Sequence, residues 1–311
     1  MSGRGLRGAH RAAHGAALRV DAAAARGRAR RLLRLGGPLA PLPGVSGAPG
    51  GAAARDGPPV RVAAHRGGAH LGPEHALLTC RRALALGVDL LEVDVHLTAD
   101  DVPVLLHDPT LDRTTTGRGP VRARRLAELA PVRLRDRRGA PTRQRVPTLD
   151  ALLALLRRHR AGLLLELKRD ATGAPYPGIE ARVLEAVTRA GLCACTVVMA
   201  FDPGSLARLR ALAPSAATAL LLPPGLTEPA PAVASALAVG AGALGVAGPA
   251  LDPRWVAAAR AAGLGLVAWT VNDAPELRRV AALGVDVVVT DRPDLALAVL
   301  GRAPGRAGPR A

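Results

Sequence analysis

Aromatic residues are almost absent from this chain of 311 residues, which has one Phe, one Tyr and two Trp. That scarcity removes the stacking platforms on which single-stranded nucleic acids are held. Lysine and asparagine occur once each, as Lys168 and Asn272. Where every other basic position is arginine, a retained lysine marks a place that needs a compact ammonium. The three cysteines, Cys80, Cys193 and Cys195, form neither a disulfide framework nor zinc-ligand spacing. They read as small hydrophobes in a reducing compartment. No apolar run reaches the roughly 18 residues of a membrane span, and no apolar stretch of the secretory type follows the N-terminal arginines. Together these absences point to a cytoplasmic protein.

What is abundant is positive charge, +17 in all. Ten arginines lie in residues 1–56 against only Asp21 and Asp56, so +8 falls in that segment. Arg302, Arg306 and Arg310 add to it at the other end. The basic balance is therefore no footprint of a nucleic-acid partner, and none is expected. Residues 1–57, rich in Gly, Ala, Arg and Pro, read as a disordered extension with a short helix conceivable at 22–35, and residues 301–311 as a similar tail. Residues 58–300 remain, close to the ~250 residues of a (β/α)₈ barrel.

Within that stretch, short β-rich runs alternate with amphipathic helical ones, the pattern of a parallel sheet. Strands are predicted at 60–65, 89–95, 163–167, 196–201, 217–222, 243–247, 264–270 and 286–290. Helices are predicted at 74–86, 149–159, 178–190, 204–212, 231–239, 253–262 and 275–283. An extra extended segment, 102–107, and the loops up to Pro147 form an insertion between strands two and three. The expectation is a single TIM-type α/β barrel.

Its polar exceptions are placed where such barrels carry chemistry. His65 ends the first strand, at the rim where catalytic groups sit. In the second, Leu91-Glu92-Val93-Asp94-Val95 puts Glu92 and Asp94 on one face. Two carboxylates aimed into a barrel repel unless a cation lies between them, and a hard divalent ion suits oxygen ligands. The third strand offers Glu166 and Lys168 on one face of an otherwise apolar run, as a third metal ligand and a phosphate contact, or simply as an internal ion pair. His107 closes the extra segment and brings a second imidazole, so that an acid and a base are both available. His96 is read as lying outside the Glu92/Asp94 register and facing away.

The run His65-Arg66-Gly67-Gly68, followed by Pro73-Glu74, Glu92-Val93-Asp94 and Leu106-His107-Asp108-Pro109, resembles the glycerophosphodiester phosphodiesterase family. The likeness continues through Glu166-Leu167-Lys168, Trp269-Thr270-Val271-Asn272 and Thr290-Asp291-Arg292-Pro293. The resemblance implies hydrolysis of a small-molecule glycerophosphodiester to sn-glycerol 3-phosphate and an alcohol, with a glycerol hydroxyl attacking first. It implies His65 and His107 as acid and base, and Glu92, Asp94 and Glu166 as ligands of one divalent cation, Ca²⁺ or Mg²⁺. Arg66 and Lys168 would contact phosphate, and Trp269 would line the glycerol pocket. Two alternatives share the barrel: a lysophospholipase D-type phosphodiesterase and a non-catalytic phosphate-binding protein. One departure is clear, since the family usually has Asn-Thr where this chain has His75-Ala76. Head group, metal identity and oligomeric state are left open.

Overall fold

The computed structural model describes residues 59–302. The two segments read as extensions lie outside them, apart from Gly301 and Arg302, as does the short helix expected at 22–35. Eight parallel strands close into a barrel: β1 (Arg61–Ala64), β2 (Leu90–Leu97), β6 (Gly162–Leu167), β7 (Thr196–Ala200), β8 (Ala217–Leu221), β9 (Ala243–Ala247), β10 (Gly265–Trp269) and β11 (Val287–Thr290). Closure is made where β1 pairs with both β2 and β11. Three further strands belong to the insertion. β3 (Pro103–Leu105) runs antiparallel to β2, and β4 (Arg133–Arg135) pairs with β5 (Pro141–Arg145) in a separate ribbon.

The helices follow from apolar spacing and capping. In the helix Leu149–Leu156, Leu149, Leu152, Leu153 and Leu156 are buried, the i, i+3, i+4, i+7 stripe of a core-facing helix. Thr148 caps its first turn by accepting from the Ala151 N–H at 3.2 Å. Asp202, Asp252 and Asp273 cap later helices in the same way. The helix expected from residue 74 begins at Leu77, because His75 sits in the left-handed region at φ 60°. Two helices escape the sequence reading: short Leu126–Leu129 in the insertion, and Pro293–Val299, which packs against β1.

Alternation along the strands divides the core into two layers. Outward side chains such as Leu91, Val93, Leu163, Leu165 and Val288 pack under the helices. Inward ones, including Ala63, Leu90, Leu164, Val197, Ala219, Ala243 and Val287, fill the barrel. No described helix is long and apolar enough to cross a membrane.

Candidate active site

The inward parity that fills the barrel floor with Leu90 and Leu164 continues upward into charge. Two residues on, β2 presents Glu92 and then Asp94, and β6 presents Glu166 as the register partner of Asp94. All three carboxylates are buried, and one oxygen from each lies within 4.8 Å of the others. Lys168, just past the end of β6, places Nζ 2.8 Å from Glu166 Oε1 and 3.4 Å from Asp94 Oδ1. The internal ion pair and the carboxylate cluster are thus both present.

One lysine does not satisfy three carboxylates. Burial and the charge of Asp94 hold the Glu92 carboxyl well above the usual carboxylate range. The same two causes push Glu166 up to about 8. Asp94 is opposed by burial too, yet Lys168 and a hydrogen bond from His75 outweigh it and hold its carboxyl well below the ordinary value. A compact set of hard oxygen donors, part of it forced toward protonation for want of positive charge, fits a divalent cation.

Two histidines stand over this cluster, each paired with a carboxylate. His65 Nδ1 is 2.7 Å from Asp291 Oδ1. Asp291 is in turn fixed by Asn272, whose Nδ2 donates to Oδ2 at 2.7 Å and whose Oδ1 accepts the Asp291 N–H at 2.8 Å. His107 Nδ1 is 2.7 Å from Asp108 Oδ1. Arg113 clamps that carboxylate through Nε and Nη2 and reaches on to Glu74, which also accepts from Arg66. Each imidazole therefore uses Nδ1 for its partner and has Nε2 left for the cavity. Burial holds the His107 ring below the usual imidazole value, with Asp94 pulling the other way.

Arg66 adopts a left-handed conformation (φ 51°, ψ 37°), which turns its backbone N–H onto Glu92 Oε2 at 2.8 Å. The next residue must be glycine: at φ 78°, a Cβ on Gly67 would come within 2.6 Å of the buried Cys80 Sγ. Main chain and side chain of this turn thus meet different carboxylates.

The opposite wall is apolar. A cavity of about 110 Å³ is lined by His65, Arg66, Glu92, His107, Glu166 and Lys168 on one side. Met199, Leu221, Val267, Val289 and Trp269 line the other, with Phe201 meeting the Trp269 ring edge-on at 5.6 Å. Trp269 Nε1 and Arg66 Nε are buried without a hydrogen-bond partner. Of the eight site residues that the resemblance implies, all but Asp94 line this cavity, and Asp94 pairs with Lys168.

His96 corrects its reading. It keeps the parity of Glu92 and Asp94 and is fully buried, with Nε2 3.1 Å from the His107 carbonyl and Nδ1 2.8 Å from the Tyr176 hydroxyl. It thereby supports the backbone of His107. Burial lowers its pKa to about 4, so the ring is neutral. His75, the departure from the family pattern, tolerates a left-handed backbone as asparagine does, and sets Nε2 3.0 Å from Asp94 Oδ2. The roles of Asp291, Asn272 and Tyr176 had no local signal, because their partners lie 226, 19 and 80 residues away in the chain.

A family model described as the glycerophosphoryl diester phosphodiesterase family matches residues 65–295. The glycerophosphodiester phosphodiesterase of Caldanaerobacter subterraneus is 32% identical over 234 residues, 75% of this chain and 94% of that one. The solved glycerophosphodiester phosphodiesterase of Agrobacterium tumefaciens is 30% identical, with a TM-score of 0.66 over 77% of this chain and 99% of its own. A phosphodiesterase of Oleispira antarctica, solved with the product sn-glycerol-3-phosphate, is 26% identical with a TM-score of 0.67, over 78% of this chain and 96% of that one.

Proposed function

Because this chain belongs to the glycerophosphoryl diester phosphodiesterase family, we propose that it hydrolyses glycerophosphodiesters to sn-glycerol 3-phosphate and an alcohol through His65 and His107. The observation that carries this reading is the pair of histidine–carboxylate couples facing one cavity above a carboxylate cluster.

A divalent cation held by Glu92, Asp94 and Glu166 would polarise the phosphoryl oxygens and offset the charge that builds there. Arg66 and Lys168 bring fixed positive charge to the same oxygens. One imidazole takes the proton of the attacking glycerol hydroxyl, and the other gives a proton to the leaving alkoxide; water then adds to the cyclic phosphate so formed, with the two proton roles exchanged, and opens it to sn-glycerol 3-phosphate. Asp291 and Asp108 orient the rings and stabilise the imidazolium as it forms. Trp269 supplies an apolar face for the glycerol carbons and an unused N–H for a hydroxyl. A cavity of about 110 Å³ suits a three-carbon polyol better than an acyl chain, which favours this reading over the lysophospholipase alternative.

Chelation tests the cation directly. EDTA should abolish hydrolysis of glycerophosphocholine, and add-back of Ca²⁺ or Mg²⁺ alone should restore it. Full turnover in EDTA would overturn the role given to the three carboxylates.

A further inference from the structure

His65 and Arg66 line a second chamber as well as the apolar-walled cavity. It measures about 430 Å³, and its other walls come from His70, Glu74, Arg137, Asn272, Asp291 and Arg292. A phosphodiester held at His65 and Arg66 has two arms. If glycerol takes the cavity beside Trp269, the second chamber is left for the alcohol.

Its charges are unevenly matched. Glu74 is bound by Arg66 and Arg113, Asp291 by His65 and Asn272, and Arg292 by Asp294. Arg137 has no carboxylate within salt-bridge distance among the described residues; its Nη1 instead meets His70 Nδ1. The neighbouring Asp136 is spent on its own turn, accepting from the N–H groups of Arg138 and Ala140 at 2.9 Å each. Arg135 braces the same turn against the carbonyls of Thr115 and Gly139. An arginine with a single side-chain contact has most of its five donors available. Burial and the guanidinium groups of Arg292 and Arg137 lower the His70 pKa, which favours the ring form that accepts from Arg137.

We propose that this chamber is a subsite for the leaving alcohol and that Arg137 selects alcohols carrying an oxyanion of their own, such as a carboxylate. The inference rests on the hydrolase reading above. A quaternary ammonium would meet guanidinium groups there and gain nothing from them.

The test compares sn-glycero-3-phosphoserine with sn-glycero-3-phosphoethanolamine, which differ by one carboxylate, in buffer supplying both Ca²⁺ and Mg²⁺. The ratio of kcat/KM should favour the serine diester by about tenfold, the size of one charge-assisted hydrogen bond in a partly exposed site. Arg137→Ala should bring the ratio toward one, mainly through KM for the serine diester, and Arg137→Glu should take it below one. The ratio is internal to each preparation, so a partly unfolded variant still reports it. No preference in the wild type, or a ratio that neither substitution moves, overturns the inference. Turnover of neither diester overturns the hydrolase reading, and this subsite with it.

Discussion

The two walls of the barrel mouth are built on the same backbone geometry and filled with opposite chemistry. β2 and β6 carry Glu92, Asp94 and Glu166 at inward positions, with His65 and Lys168 just past the ends of β1 and β6. β7, β8, β10 and β11 carry Met199, Leu221, Val267, Trp269 and Val289 at the equivalent ones. On the apolar wall, each inward side chain gains by leaving water. On the charged wall burial works against every group, and only mutual pairing holds the cluster together. The difference teaches which wall stores the capacity for chemistry: the one whose groups the fold alone leaves incompletely satisfied.

The comparison breaks most visibly if the histidines are removed. His65→Ala or His107→Ala should lower kcat by about 10²–10⁴-fold, with the thermal midpoint nearly unchanged, as steady-state assays and calorimetry would show. Activity surviving both changes would end the acid/base assignment. Glu92→Gln keeps the acceptor for the Arg66 N–H but removes a carboxyl already held above its usual range. Activity should fall at least about a hundredfold, while the chelated protein melts at a higher temperature, by a margin that grows as pH rises above the ordinary carboxylate range. A lower melting temperature would show that the wall is not strained by like charge.

Below these in size comes acid sensitivity. The folded protein lowers the His96 pKa to about 4 from an ordinary 6.5, chiefly by burial. The neutral ring is the favoured one, so its contribution is complete above pH 6.5 and is lost as pH falls through 4, a loss of roughly 3 kcal/mol. Urea titrations across that window should show it, and His96→Gln should flatten the slope; an equal slope in the variant would exclude His96 as its source. The apolar wall gives the smallest effect. Trp269→Ala should raise KM by about tenfold, near 1.4 kcal/mol, and move kcat less. A purely kcat effect would instead place the indole at the reacting atoms.

The sequence made the eight strands legible because each is a short apolar run bounded by helix signals, and all eight positions hold to within two residues at each end. The cluster was legible for the same reason: Glu92, Asp94, Glu166 and Lys168 interrupt runs that are otherwise Leu and Val. The carboxylate partner of His65 was not, because Asp291 becomes its neighbour only when β11 closes on β1. His96 shows another limit. Its parity is that of Glu92 and Asp94, not the opposite one read from the sequence, and only the path of the insertion reveals that it meets a backbone carbonyl and not the cavity. The turn that presents Arg137 lies in that insertion, where no repeating pattern announces a contact with the loop after β1.

The His65–Asp291 couple also has a consequence for biosynthesis. His65 leaves the ribosome 226 residues before Asp291, so a nascent barrel lacking β11 holds the imidazole without the carboxylate that orients it. On the assignment proposed here, full activity is reached only when the last strand is delivered and the chain has closed through residue 291.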